Sequence, residues 1–213
     1  MYCTVEDIRA EGVTEDQASD EKLTGLITLA GNYIDRMTRQ WFEPREKTVV
    51  LDGTGGVILP LPVFLIKLPE SLTIDGEEAT GYVLYNRFPP ADDRSYPKMY
   101  RQSRWAKGVQ NIVIKGLWGY VDEDGSGGYT TPSLIRRAVM KLALYNFPDL
   151  GDREAQEEKA MRGALRSETT DGHSYELSDS VLSAMASSSI TGDTEIDQII
   201  RQYTMSPIRM AIA

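Results

Sequence analysis

A change in hydrophobic period near Pro44 limits the folds open to this chain more than any other feature. Before it, apolar residues recur at alternating steps of four and three, which predicts an amphipathic helix that ends at Pro44. The members of this stripe are Leu23, Ile27, Ala30, Ile34, Met37 and Trp41. After it, the β-rich segments 47–51 and 57–59 flank the glycine-rich stretch 52–56, which predicts a β-hairpin. The chain is therefore expected to combine helices with antiparallel strands.

Further strands are predicted before residue 120. Residues 72–74 lead into an Asp75-Gly76 turn, and residues 82–85 are expected to form the returning strand. Residues 110–118 predict one more strand. Residues 86–108, rich in proline, arginine and tyrosine, are expected to be an extended hairpin tip or a long loop, and we call them the basic insert.

Four more helices are predicted from caps and periodicity. Thr4 and Asp7 are typical of a helix N-terminus and predict a helix over residues 5–10. The pair Thr131-Pro132 predicts the start of a helix that ends at Pro148, with Thr131 as cap and Pro132 in the first turn. A more polar helical pattern covers residues 152–167, and a short amphipathic one covers residues 195–203. The positions expected to be buried in the helix after Pro132 and in the last one are Ile135, Ala138, Val139, Leu142, Ala143, Ile196, Ile199 and Ile200.

The charge balance limits the partners of the chain. Its 23 basic and 32 acidic residues give a formal net charge of −9. This disfavours a protein that binds DNA phosphates over its whole surface, and it is compatible with a surface past which DNA slides. No apolar run approaches the ~20 residues that span a bilayer, and the first residues lack the features of a signal peptide. With Cys3 as its one cysteine, the chain is expected to fold in a reducing cytoplasm, without membrane association.

A search for catalytic and metal-binding patterns leads us to expect no enzyme and no cofactor. His173 is the only histidine and lies in a polar turn, and Cys3 has no histidine near it in sequence. Asp122, Asp124 and Ser126 match the opening of an EF-hand loop, but the twelfth position is Ser133 where a bidentate glutamate is needed. An acidic solvated loop is the favoured interpretation, and a weak ion site there is the alternative.

The basic insert is a local exception to the acidic composition. Between residues 87 and 107 it holds six basic and two acidic residues, a local charge of +4, with Tyr96, Tyr100 and Trp105 interleaved. Such a mixture can contact nucleic acid, and it is also typical of protein–protein hot spots. We favour a protein interface, and an acidic neighbouring copy is one partner that fits. Its candidate residues are Arg94, Tyr96, Tyr100, Arg101, Arg104 and Trp105.

The end of the chain is apolar without local partners. Ile208, Met210 and Ile212 follow a segment rich in serine, threonine and glycine, and nothing near them in sequence could bury them. Such a tail either docks outside its own domain or folds back onto its own core, and the sequence leaves both open.

The order of these segments resembles the head–tail connector, or adaptor, proteins of long-tailed bacteriophages and related prophages, over nearly the whole chain. The motifs that carry the resemblance are YCTVEDIR (2–9), AGNYIDRMT (30–38), WFEPR (41–45), LDGTG (51–55), LTIDGE (72–77), GLWGY (116–120), TPSLIRRA (131–138), the stretch 167–175 and IIRQY (199–203). The basic insert departs from the family pattern, since it is longer and more basic than the short strand connection expected there.

The resemblance implies an α+β fold that is mainly a helical bundle interrupted by a small antiparallel β-region, with an extended C-terminal arm. The expected parts of this one domain are bundle helices in 1–44 and 131–167, a β-region in 45–120, and a linker and arm in 168–213. It also implies a dodecameric ring in the virion neck, made in the bacterial host cytoplasm. The ring would bind the portal protein on one side and a stopper or tail completion protein on the other, with DNA passing through without sequence-specific binding. The residues that the resemblance assigns to portal binding are Ile199, Ile200, Tyr203, Ile208, Arg209 and Met210.

Overall fold

Two helices begin the chain, a series of antiparallel strands follows, and two further described helices come after it. The computed structural model describes residues 1–85, 97–147, 167–170, 173–176 and 190–205. The helices within these ranges are α1 (Val5–Ala10), α2 (Asp20–Thr38), α3 (Ser133–Tyr145) and α4 (Thr194–Tyr203). The strands are β1 (Arg45–Gly53), β2 (Ile58–Pro60), β3 (Ser71–Ile74), β4 (Glu77–Glu78), β5 (Tyr82–Tyr85), β6 (Lys98–Arg101), β7 (Gly108–Trp118), β8 (Asp122–Glu123), β9 (Tyr129–Thr130), β10 (Ser167–Thr170) and β11 (His173–Glu176).

The four helices share one apolar cluster, which we call the helical core. Its larger members are Ile8, Leu23, Ile27, Ile34, Phe42, Ile135, Val139, Leu142, Ile196, Ile199 and Ile200. The predicted stripe of α2 is therefore confirmed from Leu23 to Ile34, as are the buried positions of α3 and α4. Burial of such an apolar face, rather than intrinsic propensity, supplies most of the stability of helices this short. None of the described helices is long and apolar enough to cross a bilayer.

Local caps fix where the helices begin. In α1, the Thr4 hydroxyl accepts a hydrogen bond from Asp7 N (3.2 Å) and the Asp7 carboxylate accepts one from Thr4 N (2.8 Å), so the predicted capping pair is confirmed. The helix α3 begins one residue later than predicted. Pro132 occupies its N-cap position, and no side chain caps this end.

A second apolar cluster, the sheet core, lies between two antiparallel sheets. One sheet has the strand order β1-β7-β3-β4 and the other β2-β6-β5. The buried side chains that fill the space are Leu59, Leu61, Val63, Leu65, Leu72, Ile74, Ala79, Met99, Trp105, Ile112, Ile114 and Trp118. Alternate residues of β7 point inward, as the predicted placement of Ile112 and Ile114 on one side required.

The prediction of a mainly helical bundle with a small β-region is wrong. Within the described ranges, helices and strands contain nearly equal numbers of residues, and the strands enclose a core of their own. The sequence predicts a mainly helical fold because the helical periodicity extends over long segments and is easily recognised. Several of the strands have only two to four residues, too short to produce a period of their own.

The predicted hairpin across residues 52–56 is also wrong. The strand β1 pairs with β7, and β2 pairs with β6, so the glycine-rich turn carries the chain from one sheet to the other. A bulge between Leu51 and Gly53 accompanies this exit, and the Asn111 side chain accepts a hydrogen bond from Gly53 N (2.9 Å). The turn residues were identified correctly, but the strand pairing was decided by partners distant in sequence.

Two more expectations in the β-region need correction. The Asp75-Gly76 turn is present, but the strand that returns to β3 is β4, whereas β5 pairs with β6. The strand β6 lies inside the basic insert and forms the centre of the three-stranded sheet, so this part of the insert is not a loop. Residues 86–96 of the insert, the predicted helix 152–167 up to residue 166, and most of the predicted linker and arm lie outside the described residues.

Candidate functional site

The helix α4, which carries half of the predicted portal-binding residues, is held on α2 and α3. Its face formed by Ile196, Ile199 and Ile200 enters the helical core. Lys141 of α3 contacts Asp193 at 2.8 Å and Glu195 at 2.9 Å, at the beginning of α4. Apolar burial and charge pairing thus fix this helix from two sides.

A buried carboxylate holds the segment that leads into α4. Asp197 is 5% exposed, and its oxygens accept hydrogen bonds from Ile190 N (2.9 Å), Thr191 N (2.8 Å) and Thr191 Oγ1 (2.6 Å). The turn before α4 and the helix itself therefore form one hydrogen-bonded unit.

Tyr203, at the end of α4, packs against the helical core. Its ring packs edge-to-face against Phe42 and Tyr120, with centroid distances of 5.5 Å in both cases. Gln40 donates to the Tyr203 carbonyl, and Met205 N donates to the Thr38 carbonyl (3.0 Å) at the end of α2. Burial raises the pKa of the Tyr203 hydroxyl to about 12. The chain thus leaves α4 along a fixed path beside the end of α2.

The six predicted portal-binding residues fall into different environments. Ile199 and Ile200 are 5% and 1% exposed in the helical core, and Tyr203 is half-buried beside it. Ile208, Arg209 and Met210 lie outside the described residues. Portal binding by these residues stays a prediction, and contact through the two isoleucines would require α4 to leave the helical core.

The structure separates the predicted interface residues of the basic insert. Trp105 is fully buried in the sheet core, where its indole Nε1 donates to the Val57 carbonyl (3.2 Å). Arg101 is half-buried at the end of β6 and donates to the carbonyls of Thr80 and Arg104, both at 3.1 Å. Arg104 is exposed. Trp105 therefore belongs to the core of this fold and is not part of an exposed surface.

Tyr100 lies on the other side of the sheet from Trp105. It is half-buried on β6, and its ring contacts that of Tyr85 on β5 at a centroid distance of 6.3 Å. Arg94 and Tyr96 lie outside the described residues. Of the predicted interface set, Tyr100 and Arg104 are thus placed on the surface, while Trp105 is not.

Three exposed apolar residues that are not in the predicted interface set lie beside Tyr100. Ile58, Val83 and Tyr85 are each about half exposed on the same three-stranded sheet. Four consecutive apolar or aromatic residues in β5 were a sign of apolar side chains on both faces of that strand. The predicted pairing of residues 82–85 across the Asp75-Gly76 turn places β5 in a different sheet, away from Tyr100.

The loop that resembles an EF-hand opening is a short hairpin between β8 and β9. Asp124 Oδ1 accepts hydrogen bonds from Ser126 Oγ (2.7 Å), Ser126 N (2.8 Å) and Gly128 N (2.9 Å). These bonds, first that from the Ser126 hydroxyl, lower the pKa of Asp124. Asp122 lies in β8, paired with Thr130. Over the described ranges, no three histidine, cysteine or acidic side chains converge as a metal site would require.

The two residues considered as nucleophile or base are placed differently. Cys3 is buried in the helical core, and burial, reinforced by Asp7, raises the pKa of its thiol to about 11. The thiol is therefore protonated at neutral pH, whereas a nucleophilic cysteine needs a lowered pKa. His173 begins β11.

The fold is similar to that of a chain solved within a phage-like particle. No family model and no curated protein sequence matches this chain. A chain in the neck of an empty GTA particle, computed with C6 symmetry, superposes with a TM-score of 0.53 at 19% identity, over 71% of this chain and 80% of that one. A chain in the virion of a native gene transfer agent (GTA) particle gives a TM-score of 0.47 at 19% identity, over 63% and 70% of the two chains. The likeness to the neck chain is one of fold.

Proposed function

We propose that this chain is a structural subunit of a phage-type neck, an adaptor that forms a ring between the capsid portal and the tail. The observation that carries the proposal is the fold likeness to a GTA neck chain over 71% of the sequence. The order of motifs in the sequence, which resembles head–tail connectors, supports the same assignment. In this proposal the ring lies in the virion, contacts a stopper or tail completion protein on its tail side, and lets DNA pass through its channel.

Portal attachment is assigned to the residues that follow Met205. The helix α4 is held by its buried isoleucines, by Lys141 and by the contact of Met205 N with the Thr38 carbonyl. The arm 206–213 therefore starts from a fixed position beside the end of α2. Ile208, Arg209 and Met210 supply apolar contact and one cation for the portal, while Ile199 and Ile200 keep the anchor in place.

The proposed role includes no catalytic step. The Cys3 thiol is buried and protonated, and the Asp124 carboxylate is engaged within its own turn. A net charge of −9 suits a channel that does not retain DNA. The work of such a subunit is to repeat one contact until a ring closes.

The alternative is a nucleic-acid-binding protein that acts through the basic insert. Residues 97–108 contain four basic residues and no acidic one, which favours contact with phosphates. Trp105, one of the aromatic residues of the basic insert, is fully buried in the sheet core and cannot stack on a base. This burial weakens the alternative, since single-strand binding relies on exposed aromatic rings.

Electron microscopy of the purified protein mixed with the portal of its own particle tests the proposal. We expect a ring stacked coaxially on the portal. Deletion of residues 206–213 should abolish attachment while circular dichroism shows a folded protein, and a peptide with the sequence 206–213 should compete with the intact chain. Persistent absence of any complex would contradict the proposal.

A salt titration of DNA binding separates the two candidates. A DNA-binding protein loses affinity steeply as salt rises, because each phosphate contact releases counterions. The adaptor is expected to show little affinity for DNA at any salt concentration. Tight, steeply salt-dependent binding that Arg104→Glu weakens would favour the alternative.

A further inference from the structure

The solvent-facing side of the three-stranded sheet carries a continuous apolar row. Ile58 of β2 and Val83 of β5 both lie opposite Tyr100 of the central strand β6. Residues directly opposite in an antiparallel pair project to the same face. The next row contains Pro60, Lys98 and Tyr85, and we call these six residues the outer patch.

The outer patch is exposed in the isolated chain. Its inward-facing counterparts, Leu59 and Met99, are buried, whereas Val83 is 53% exposed and Ile58 and Tyr85 are each 48% exposed. An apolar face with two tyrosines and a polar rim is typical of protein–protein contact. Single exposed apolar residues need no explanation, but here they are neighbours in register on adjacent strands.

The central strand of the outer patch belongs to a basic segment of the chain. Lys98 lies within it, and Arg104 and Lys107 are exposed in the connection from β6 to β7. Residues 97–108 include no acidic side chain, although the whole chain carries a net charge of −9. The natural complement of this surface is therefore an acidic one.

The same chain presents such an acidic surface elsewhere. Six exposed acidic residues lie on α1, the connection to α2 and the first turn of α2, and we call them the acidic edge. They are Glu6, Glu11, Glu15, Asp16, Asp20 and Glu21, of which Asp20 also pairs with Arg9 at 2.6 Å. The acidic edge belongs to the helices and the outer patch to the sheets, so one molecule carries two different, complementary surfaces. Such a pair suits a head-to-tail contact, which is the kind that generates rings.

We infer that the outer patch binds a second copy of this chain, with the basic rim facing the acidic edge of that copy. The inference rests on the proposed function, because it assigns the contact that repeats around the ring. The apolar row supplies the buried centre of the contact, and the charges on the two sides set its orientation. In this interface the apolar contacts are made by Ile58, Val83 and Tyr85, and the buried Trp105 takes no part.

A matched pair of substitutions tests the apolar centre. Val83→Glu places a carboxylate in the outer patch, and Val50→Glu places one on β1, where Val50 is 49% exposed. We expect Val83→Glu to weaken self-association in analytical ultracentrifugation, and to deplete rings on the portal, by at least about tenfold, because an unpaired charge is buried in the contact. Val50→Glu is expected to change self-association and the number of rings on the portal by less than about twofold.

Zero-length carbodiimide cross-linking of the wild-type protein tests the charged rim without any variant. A mixture of isotopically light and heavy copies should yield intermolecular links from Lys98 or Lys107 to the acidic edge. Because this measurement needs no substitution, it decides the question even if Val83→Glu fails to fold.

The outcomes separate this inference from the proposed function. Rings on the portal that form equally well with Val83→Glu, or intermolecular links that never include Lys98 or Lys107, overturn the inference and leave the adaptor role standing. Loss of portal binding by Val83→Glu with unchanged self-association also overturns it, since the outer patch would then face the portal. If the wild-type protein self-associates and gives these links but never binds a portal, the inference stands and the adaptor role is contradicted. Absence of any intermolecular link, with and without portal, overturns the inference.

Discussion

Asp35 of α2 and Arg45 of β1 form an ion pair of 2.9 Å that joins the helical core to the sheet next to it. Their side chains are only 13% and 27% exposed. The Tyr2 hydroxyl donates to Asp35 and accepts from Arg45 Nη2 (3.2 Å), so the N-terminal segment is part of the same network. The network lies where the chain passes from helix to strand, and it connects the two elements.

Replacing Arg45 by methionine should destabilise the protein by about 3 kcal/mol, because the mostly buried Asp35 side chain would lose its ion-pair partner and keep only the hydrogen bond from Tyr2. Denaturant unfolding followed by circular dichroism measures this. Arg36→Met, on the exposed side of the same helix, is the control and should change the free energy of unfolding by less than about 0.5 kcal/mol. Asp35→Asn added to Arg45→Met should recover part of the loss. If the two arginine variants unfold alike, the network has no such role.

The stretches that could be predicted from sequence are those whose structure is decided locally. The capping pair of Thr4 and Asp7 and the buried stripe from Leu23 to Ile34 needed only neighbours within a few turns. Even there the helix ends earlier than the stripe suggested. Arg39 adopts a left-handed conformation (φ 60°), and Trp41 turns to the sheet core.

The pairing of strands could not be predicted in the same way. The partner of β1 is β7, which begins more than fifty residues later, and no local pattern encodes that choice. The same limit explains the candidate surfaces. Trp105 was assigned to an interface because arginine and tyrosine surround it in sequence, but the turn after β6 directs its side chain into the sheet core.

The ion pairs that attach α1 and α4 to α3 should weaken in acid. The hydrogen bond from Arg136 lowers the pKa of Asp7, and those from Arg137 and then Lys141 lower the pKa of Glu195. Burial alone would raise the pKa of Asp193, but Lys141 and the amide of Ile196 lower it overall. Groups whose pKa is lower when folded stabilise the protein above their unfolded values of about 4, and this contribution is lost as pH falls through the folded values.

We therefore expect the urea midpoint to fall as pH is lowered from about 5 to 3. Glu195→Gln should show a shallower decline than the wild type, since it has no carboxylate to protonate. The exposed Glu15→Gln variant should follow the wild-type curve. Identical curves for wild type and Glu195→Gln would show that the contacts of α4 with Arg137 and Lys141 do not contribute.

Two glycine substitutions should change the stability of the protein in opposite directions. A Cβ at Gly119, where φ is 148°, would lie 2.6 Å from the Glu43 carbonyl oxygen, so Gly119→Ala forces the backbone apart where the chain leaves β7. Gly25 lies in the interior of α2 with nothing within 4 Å of an added Cβ. We expect Gly119→Ala to destabilise the protein by about 2 kcal/mol or more. Gly25→Ala should stabilise it by about 0.5–1 kcal/mol, and thermal melts that rank the two variants the other way would contradict this account.

The role of Ile200 decides whether α4 is an anchor or a docking element. Ile200 is 1% exposed in the helical core, whereas Ile58 is 48% exposed on the outer patch. Ile200→Ala should lower the free energy of unfolding by about 2–4 kcal/mol. Ile58→Ala, measured at low protein concentration, should lower it by less than about 1 kcal/mol. The anchor assignment predicts that Ile200→Ala protein that is still folded binds the portal normally through residues 206–213. If Ile200→Ala instead retains full stability and loses only portal binding, then α4 leaves the helical core on assembly, and the isoleucine itself is part of the docking surface.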